Sequence, residues 1–260
     1  MNYLTKISDS LRNSYWLLSV GFVVVLGIAA AHHRARTRLS EWVIRIQPIG
    51  KEDRRLIVAE DVKALLQKSF IEDINTLDIS QIKTQRIEAV LERHPFVENA
   101  EVWIDANNAL HIYIHQREPI LRIIDNNGLN YYLDAWGHRM PVSSNATARV
   151  PVATGELPPF FEEFVRTDNR LRQVFEVARM IRANATLRAL VAQIDVLKNG
   201  DIVLIPEIGH FRIVLGDASD LKDKFARLLI FLREGLPYEG WRKYREINLK
   251  FTNQVVCTRR

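Results

Sequence analysis

The sequence predicts an α+β chain with a single N-terminal transmembrane helix, a β-α-α-β-β unit, and then a mostly antiparallel β-domain with two supporting helices. Three observations lead there. From Asn13 to His33 no Asp, Glu, Lys or Arg occurs, a gap of 21 residues. Between residues 42 and 119, two stretches of helical spacing lie inside flanking stretches of period-two alternation. Beyond residue 120, short alternating segments and turn clusters recur around only two long amphipathic helices.

Composition narrows the possible functions. A chain of 260 residues with 47% hydrophobic and 26% charged side chains is an ordinary globular protein. Its single cysteine, Cys257, closes no intramolecular disulfide and rules out a multi-cysteine zinc site. The net charge is +5, of which +3 falls in residues 1–43. The basic balance therefore surrounds the apolar segment and forms no groove-sized patch, which disfavours nucleic acid as a partner.

The apolar centre, Tyr15 to Ala31, is 17 residues long. At 1.5 Å per residue it spans about 25 Å, the short end of what crosses a bilayer. Tyr15 and Trp16 suit one interface, and Arg34, Arg36 and Arg38 can reach water at the other. The predicted layout is a cytoplasmic tail over 1–14, a lipid-spanning helix over 15–33 and a neck over 34–41. A cleaved leader is the rival reading, because Ala29-Ala30-Ala31 resembles a cleavage site, but the apolar core exceeds the usual ~7–15 residues of such a leader. Lys and Arg flank both sides, so charge alone does not set the orientation.

Trp42 to Ile49 alternates and predicts a strand. Ala59 to Ser69 places Val62, Leu65, Leu66 and Ser69 at helical spacing, with Glu60 and Asp61 in the first turn. A second helix is predicted from Ser80, as a cap, to Arg93, stopped by Pro95. Ala100, Val102 and Ile104 then share one strand face, and Leu110, Ile112 and Ile114 share the next, with Asp105–Asn108 as the turn. These elements form a domain over 42–119.

The β-domain over 120–260 begins with strands at Ile120–Ile124, Tyr131–Asp134, Arg139–Pro141 and Val150–Thr154. A helix near Thr167–Ala183 follows, then strands at Ala192–Leu197, Ile202–Ile205 and Phe211–Leu215. Ser219–Glu234 is predicted as a helix ending near Gly235 and Pro237, before strands at Glu246–Phe251 and Gln254–Thr258.

The chain offers no catalytic constellation. There is no phosphate-cradling Gly-rich loop, no G-x-S-x-G and no H-E-x-x-H. Cys257 has no recognisable base nearby in sequence, so a nucleophilic role is disfavoured. His111 and His115 share a strand face, but i and i+4 on a strand lie ~13 Å apart, too far to ligate one ion. Asp125, Asp134 and Asp168 sit in turns or caps, where backbone hydrogen bonds account for them. Trp103 and Tyr113 on the outer hairpin face are read as surface packing in preference to a contact patch. The expectation is a non-enzymatic binding protein with no cofactor, no metal and no small-molecule substrate.

Several stretches carry a resemblance. His94-Pro95-Phe96-Val97-Glu98-Asn99-Ala100-Glu101-Val102 is followed by Leu110-His111-Ile112-Tyr113-Ile114, Gln116-Arg117-Glu118-Pro119 and Tyr131-Tyr132-Leu133-Asp134-Ala135-Trp136-Gly137. In this order they resemble the FtsQ/DivIB family of bacterial cell-division proteins, in the form seen in Bacteroidota. The likeness covers nearly the whole chain, though its motifs weaken beyond residue 156. The Asp105–Asn108 turn departs from the Gly or Pro pair frequent in such hairpins.

The resemblance implies that 42–119 is a POTRA-like domain aiding recruitment, in an inner-membrane protein whose body is periplasmic and stands at the septum. It further implies that the terminal strands bind coiled-coil membrane partners of the FtsB and FtsL kind. A C-terminal sheet edge makes this physically reasonable, because its unpaired N–H and C=O groups can take a partner strand. The positions concerned are Phe251, Asn253, Val255, Val256 and Cys257; proline at Val255 is expected to remove a ladder donor or distort the strand. For that strand the alternative is a covered edge with no partner; for the chain, the alternatives are a POTRA-bearing envelope-assembly or secretion accessory protein and a secreted enzyme of unrecognised type.

Overall fold

A computed structural model describes residues 19–28, 37–50, 53–70 and 73–260. Residues 19–28 form a helix with exposed apolar side chains such as Phe22 and Val23. The rest of the expected 15–33 span lies outside the described residues, among which no helix is long and apolar enough to cross a membrane. The body divides into two compact units. One holds Val58–His115 with the described residues up to Gln47, and the other holds Pro48–Ile57 with Gln116–Arg260.

The first unit runs β1 (Trp42–Ile46), α1 (Ala59–Ser69), α2 (Thr84–Glu92), β2 (Val97–Ile104) and β3 (Leu110–Gln116). Its sheet order is β1-β3-β2. Two helices separate β1 from the hairpin, long enough for β1 to return parallel to β3, with Trp42 opposite Leu110. Val62 and Leu66 of α1 and Ile87 and Leu91 of α2 are buried, as are Ala100, Val102, Leu110, Ile112 and Ile114 of the hairpin. The helix expected from Ser80 is divided. Gln81 accepts from the Asp78 amide at 2.9 Å and closes a separate 3-10 turn, Ile79–Gln81, so Ser80 is no cap and α2 begins at Thr84.

The second unit is one sheet of nine strands. In chain order they are β4 (Pro119–Ile124), β5 (Asn130–Asp134), β6 (Arg139–Pro141), β7 (Val152–Gly155), β8 (Val191–Val196), β9 (Ile202–Pro206), β10 (Arg212–Gly216), β11 (Tyr244–Asn248) and β12 (Val256–Arg259). Their spatial order is β12-β11-β10-β9-β8-β7-β4-β5-β6. Most ladders are antiparallel, but β4–β7, β7–β8 and β10–β11 are parallel. Two of these parallel returns are made across helices, α3 (Arg170–Ala183) with α4 (Ala185–Leu190) and α5 (Leu221–Ile230).

The helices lie on one face. Leu171, Val174, Phe175, Ala178 and Ile181 of α3 and Leu221, Phe225 and Leu228 of α5 join Ile194, Leu204, Ile213 and Ile247 in one core. Register places polar pairs on the opposite face: Thr154 donates to Asp195 at 2.8 Å, and Arg212 pairs with Glu246 at 2.8 Å. The opposite face mixes these polar pairs with buried Val203, Val214 and Tyr132, so burial alternates clearly along β8 but not along β5, β9 or β10.

Two helix expectations need correction. The short helix α4 was not anticipated; it forms because Asn184 accepts from the Thr186 and Leu187 amides at 3.0 and 3.1 Å. The helix begun at α5 does not stop at Gly235. A π-turn, Phe231–Gly235, carries it into α6 (Leu236–Glu239), the Leu236 N–H reaching back to Phe231 O just before Pro237. At Gly235 an added Cβ would stand 2.8 Å from the Phe231 ring, so a larger residue would crowd this continuation.

One turn design recurs three times. Asp105, Asp125 and Asp134 each accept from the amides two and four residues on, at 2.8 to 3.0 Å. Each turn closes through a left-handed residue at the fourth position: Asn108 (φ 64°), Gly128 (φ 76°) and Gly137 (φ 88°). Asn108 thus takes the role that glycine has elsewhere, as asparagine tolerates this conformation better than most residues. The departure seen in the sequence changes the residue and keeps the hairpin.

Candidate functional site

Four strands end the two sheets, and they differ in what they offer a partner. On β2 the amides of Val102 and Ala100 donate to the Glu88 and Glu92 carboxylates of α2, at 2.8 and 3.5 Å, so helix side chains already occupy that edge. The strand β6 is three residues long and contains Pro141, which has no N–H. These are recognised ways of blunting an edge. β1 and β12 remain.

Two backbone contacts fix which groups of β12 face outward. Arg260 donates its amide to Lys243 O at 3.1 Å, and Leu249 donates to Val214 O at 2.9 Å, toward β10. Alternation then turns Val256 and Thr258 toward β11, opposite Asn248 and Glu246. The N–H and C=O groups of Cys257 and Arg259 point to the open edge. The side chains alternate across the sheet. Val255 and Cys257 pack against the helix-covered core, while Val256 is 40% exposed.

The five expected positions separate accordingly. Val256 and Cys257 open the edge strand, and Val255 immediately precedes it. Phe251 and Asn253 lie in the turn before the strand, Phe251 half exposed and Asn253 left-handed at φ 59°. The strand is shorter than Gln254–Thr258 because the chain must first complete this turn. Proline at Val255 would therefore act before the strand, and Cys257 is the position where proline meets the outward edge without taking a β11 ladder bond.

Polar side chains fasten the turn. Lys250 donates to both Asp201 carboxylate oxygens, at 3.1 and 2.9 Å. Arg227 of α5 donates to Phe251 O at 2.9 Å, to Leu249 O at 3.3 Å and to Gln254 O. At the strand's end the Arg260 guanidinium donates to His210 O at 2.6 Å. Nearby, Lys224, buried along its stem, donates to Asp217 at 2.8 Å. That bond and the Ser219 hydroxyl hold the Asp217 carboxyl down at about 2.

Other expected residues fall apart from this edge. Burial pushes the Cys257 thiol up, away from the thiolate a nucleophile needs. His111 stacks on Trp103 with centroids 5.1 Å apart and meets Asp105 at 3.0 Å, while His115 meets Tyr113 edge-on. Among the described residues no group of three or more His, Cys, Asp or Glu side chains is placed to hold a metal ion. Asp168 lies beside the cap of α3 and not on it; Asn169 accepts from Arg172 N at 2.9 Å. Sequence reasoning missed Arg227 and the outward amide of Arg259. Nothing local marks either, because both depend on which strands become neighbours.

Two motif stretches that carried the resemblance meet in the second unit. Arg117, of Gln116-Arg117-Glu118-Pro119, donates to the buried Asp134 at 2.8 Å. His138 lies 2.9 Å from the same carboxylate.

Comparison with known proteins agrees with this architecture. Residues 43–115 match the POTRA-like domain, and residues 118–258 match the family described as FtsQ/DivIB, C-terminal related. The second match alone covers more than half of the chain. The chain belongs to the FtsQ/DivIB C-terminal-related family. It is similar to a cell division protein FtsQ of Rhodothermus marinus, 27% identical over 168 residues, which are 63% of this chain and 61% of that protein. It is also similar to a cell division protein FtsQ of Salinibacter ruber, 30% identical over 179 residues, 65% of this chain and 66% of that protein. The chain thus spans somewhat less than two thirds of either relative. Within the FtsQ/DivIB match lie all of β12 but its last residue, Arg259, and all of α5 with Arg227.

Proposed function

We propose that this FtsQ/DivIB-family chain is a non-enzymatic, single-pass scaffold of the bacterial division machinery. In this reading residues 1–14 are cytoplasmic, 15–33 cross the inner membrane and 34–41 form the neck. The POTRA-like domain (42–119) and β-domain (120–260) then stand in the periplasm at the septum. The β12 edge captures a strand from coiled-coil membrane partners of the FtsB and FtsL kind. Main-chain hydrogen bonds supply affinity in such a mode, and pockets for alternate side chains supply specificity.

One observation carries the reading. β12 is the open end of the large sheet, with the outward N–H groups of Cys257 and Arg259, whereas proline blunts that sheet's opposite end at β6. The two similar proteins named for cell division supply the setting.

The test is conditional depletion of the chain with cell length followed by microscopy. Long, unseptated filaments are the expected result. Normal septation with a defective envelope contradicts the division role and favours a POTRA-bearing accessory of envelope assembly.

A further inference from the structure

We infer that Arg227 is a positioning residue for the β12 edge, an inference that rests on the docking reading of that edge. The turn between β11 and β12 leaves carbonyls that no strand can satisfy. Arg227 gathers three of them, at Leu249, Phe251 and Gln254, onto one guanidinium. Its Nε donates to Asp223, one helical turn earlier on α5, at 2.8 Å. The side chain is only 13% exposed, so these charge-assisted bonds act in partial shelter from water.

The planar fork explains why this is an arginine. Its separate donors reach three carbonyls and a carboxylate at once, whereas a lysine ammonium is a single point with rotating donors. A second fastening, Lys250 to Asp201, holds the turn toward the β8–β9 hairpin, with the Lys250 stem beside Gly216. β12 has one neighbouring strand, so its order depends on β11 along one side and on this turn at its start. Arg227 thereby presents Cys257 and Arg259 in an extended, preformed edge, and a partner strand is spared the entropy of ordering it.

The test is hydrogen–deuterium exchange on the full chain in detergent micelles, comparing wild type, Arg227→Met and Arg227→Lys, with each variant also introduced into depleted cells. Arg227→Met keeps the buried stem and removes the donors. Exchange at Val256, Thr258 and Arg260 is expected to become about tenfold faster while β8 and β9 keep their protection. Arg227→Lys is expected to restore part of that protection, and Arg227→Met cells are expected to divide poorly. Unchanged exchange at β12 overturns the inference, as does faster exchange throughout the second unit, the mark of a residue that merely stabilises the fold. Faster exchange confined to β12 with normal division keeps the positioning role and contradicts the docking reading, so the two fail separately.

Discussion

Replacing Cys257 by proline is expected to weaken capture of the proposed division partner strongly while the second unit stays folded. The proline ring would project where the outward N–H now points, removing one donor and obstructing the approach of a strand. No β11 ladder bond is lost, because Val256 and Thr258 make that ladder. Binding is expected to weaken by at least about tenfold, from the lost hydrogen bond and the steric block together. Thr258→Pro is the contrasting variant: it removes a ladder donor and loosens β12 from its own sheet. Cys257→Ala separates backbone from thiol. It keeps the amide and is expected to bind as wild type does, since burial already holds the thiol in its neutral form. Co-purification of the chain with a co-expressed FtsB-like partner measures all three.

The second large effect lies in the motif pair. Asp134 is almost wholly buried and accepts from Arg117 at 2.8 Å, from the Trp136 and His138 amides at 2.8 Å each, and contacts His138 Nδ1 at 2.9 Å. Asp134→Ala removes the carboxylate that Arg117, His138 and the two turn amides share, and opens the β5–β6 turn. Loss of one member of a buried pair costs about 3 kcal/mol or more, to be read as a lower midpoint in denaturant unfolding. The pH dependence follows from the same contacts. Burial raises the Asp134 carboxyl, but Arg117, His138 and the two amides together outweigh it, and the folded value lies below the ordinary one. The contribution is therefore fully present above the unfolded value of about 3.9 and fades as pH falls through the lowered folded value. Wild type and Asp134→Ala are expected to converge in stability on acidification.

Much of the architecture was legible because local chemistry and tertiary structure agree. Helix α1 appears at Ala59–Ser69 as expected, since Glu60, Asp61 and the Val62 and Leu66 stripe all favour it. Strand β6 appears at Arg139–Pro141 because turn residues bound it on both sides. Parallel pairing of β4 with β7 and of β10 with β11 was not legible, because hydropathy alternation records which face is buried and not which strand lies alongside.

The same limit governs the candidate site. A terminal strand near Cys257 could be read from alternation, but the direction of its N–H groups follows from contacts as distant as Arg260 with Lys243. Arg227 carries no local signal either, for on the helix it is simply a polar residue four places after Asp223. Glu88 and Glu92 carry no local sign of a capping role, and only the neighbouring β2 gives them an edge to cap. Arg117 and Asp134 belong to two separate motif stretches, 17 positions apart, and folding turns that spacing into a contact.

The most direct test of the docking edge is amide hydrogen exchange at Cys257 and Arg259, in the full chain with and without a co-purified FtsB-like partner. Strand addition predicts that both amides exchange rapidly in the free chain and become strongly protected in the complex. The alternating pair Val256 and Thr258, already bonded to β11, is expected to change less. Complex formation that leaves Cys257 and Arg259 as fast as before would show that the partner docks elsewhere, and would contradict the assignment of β12 as the capturing strand.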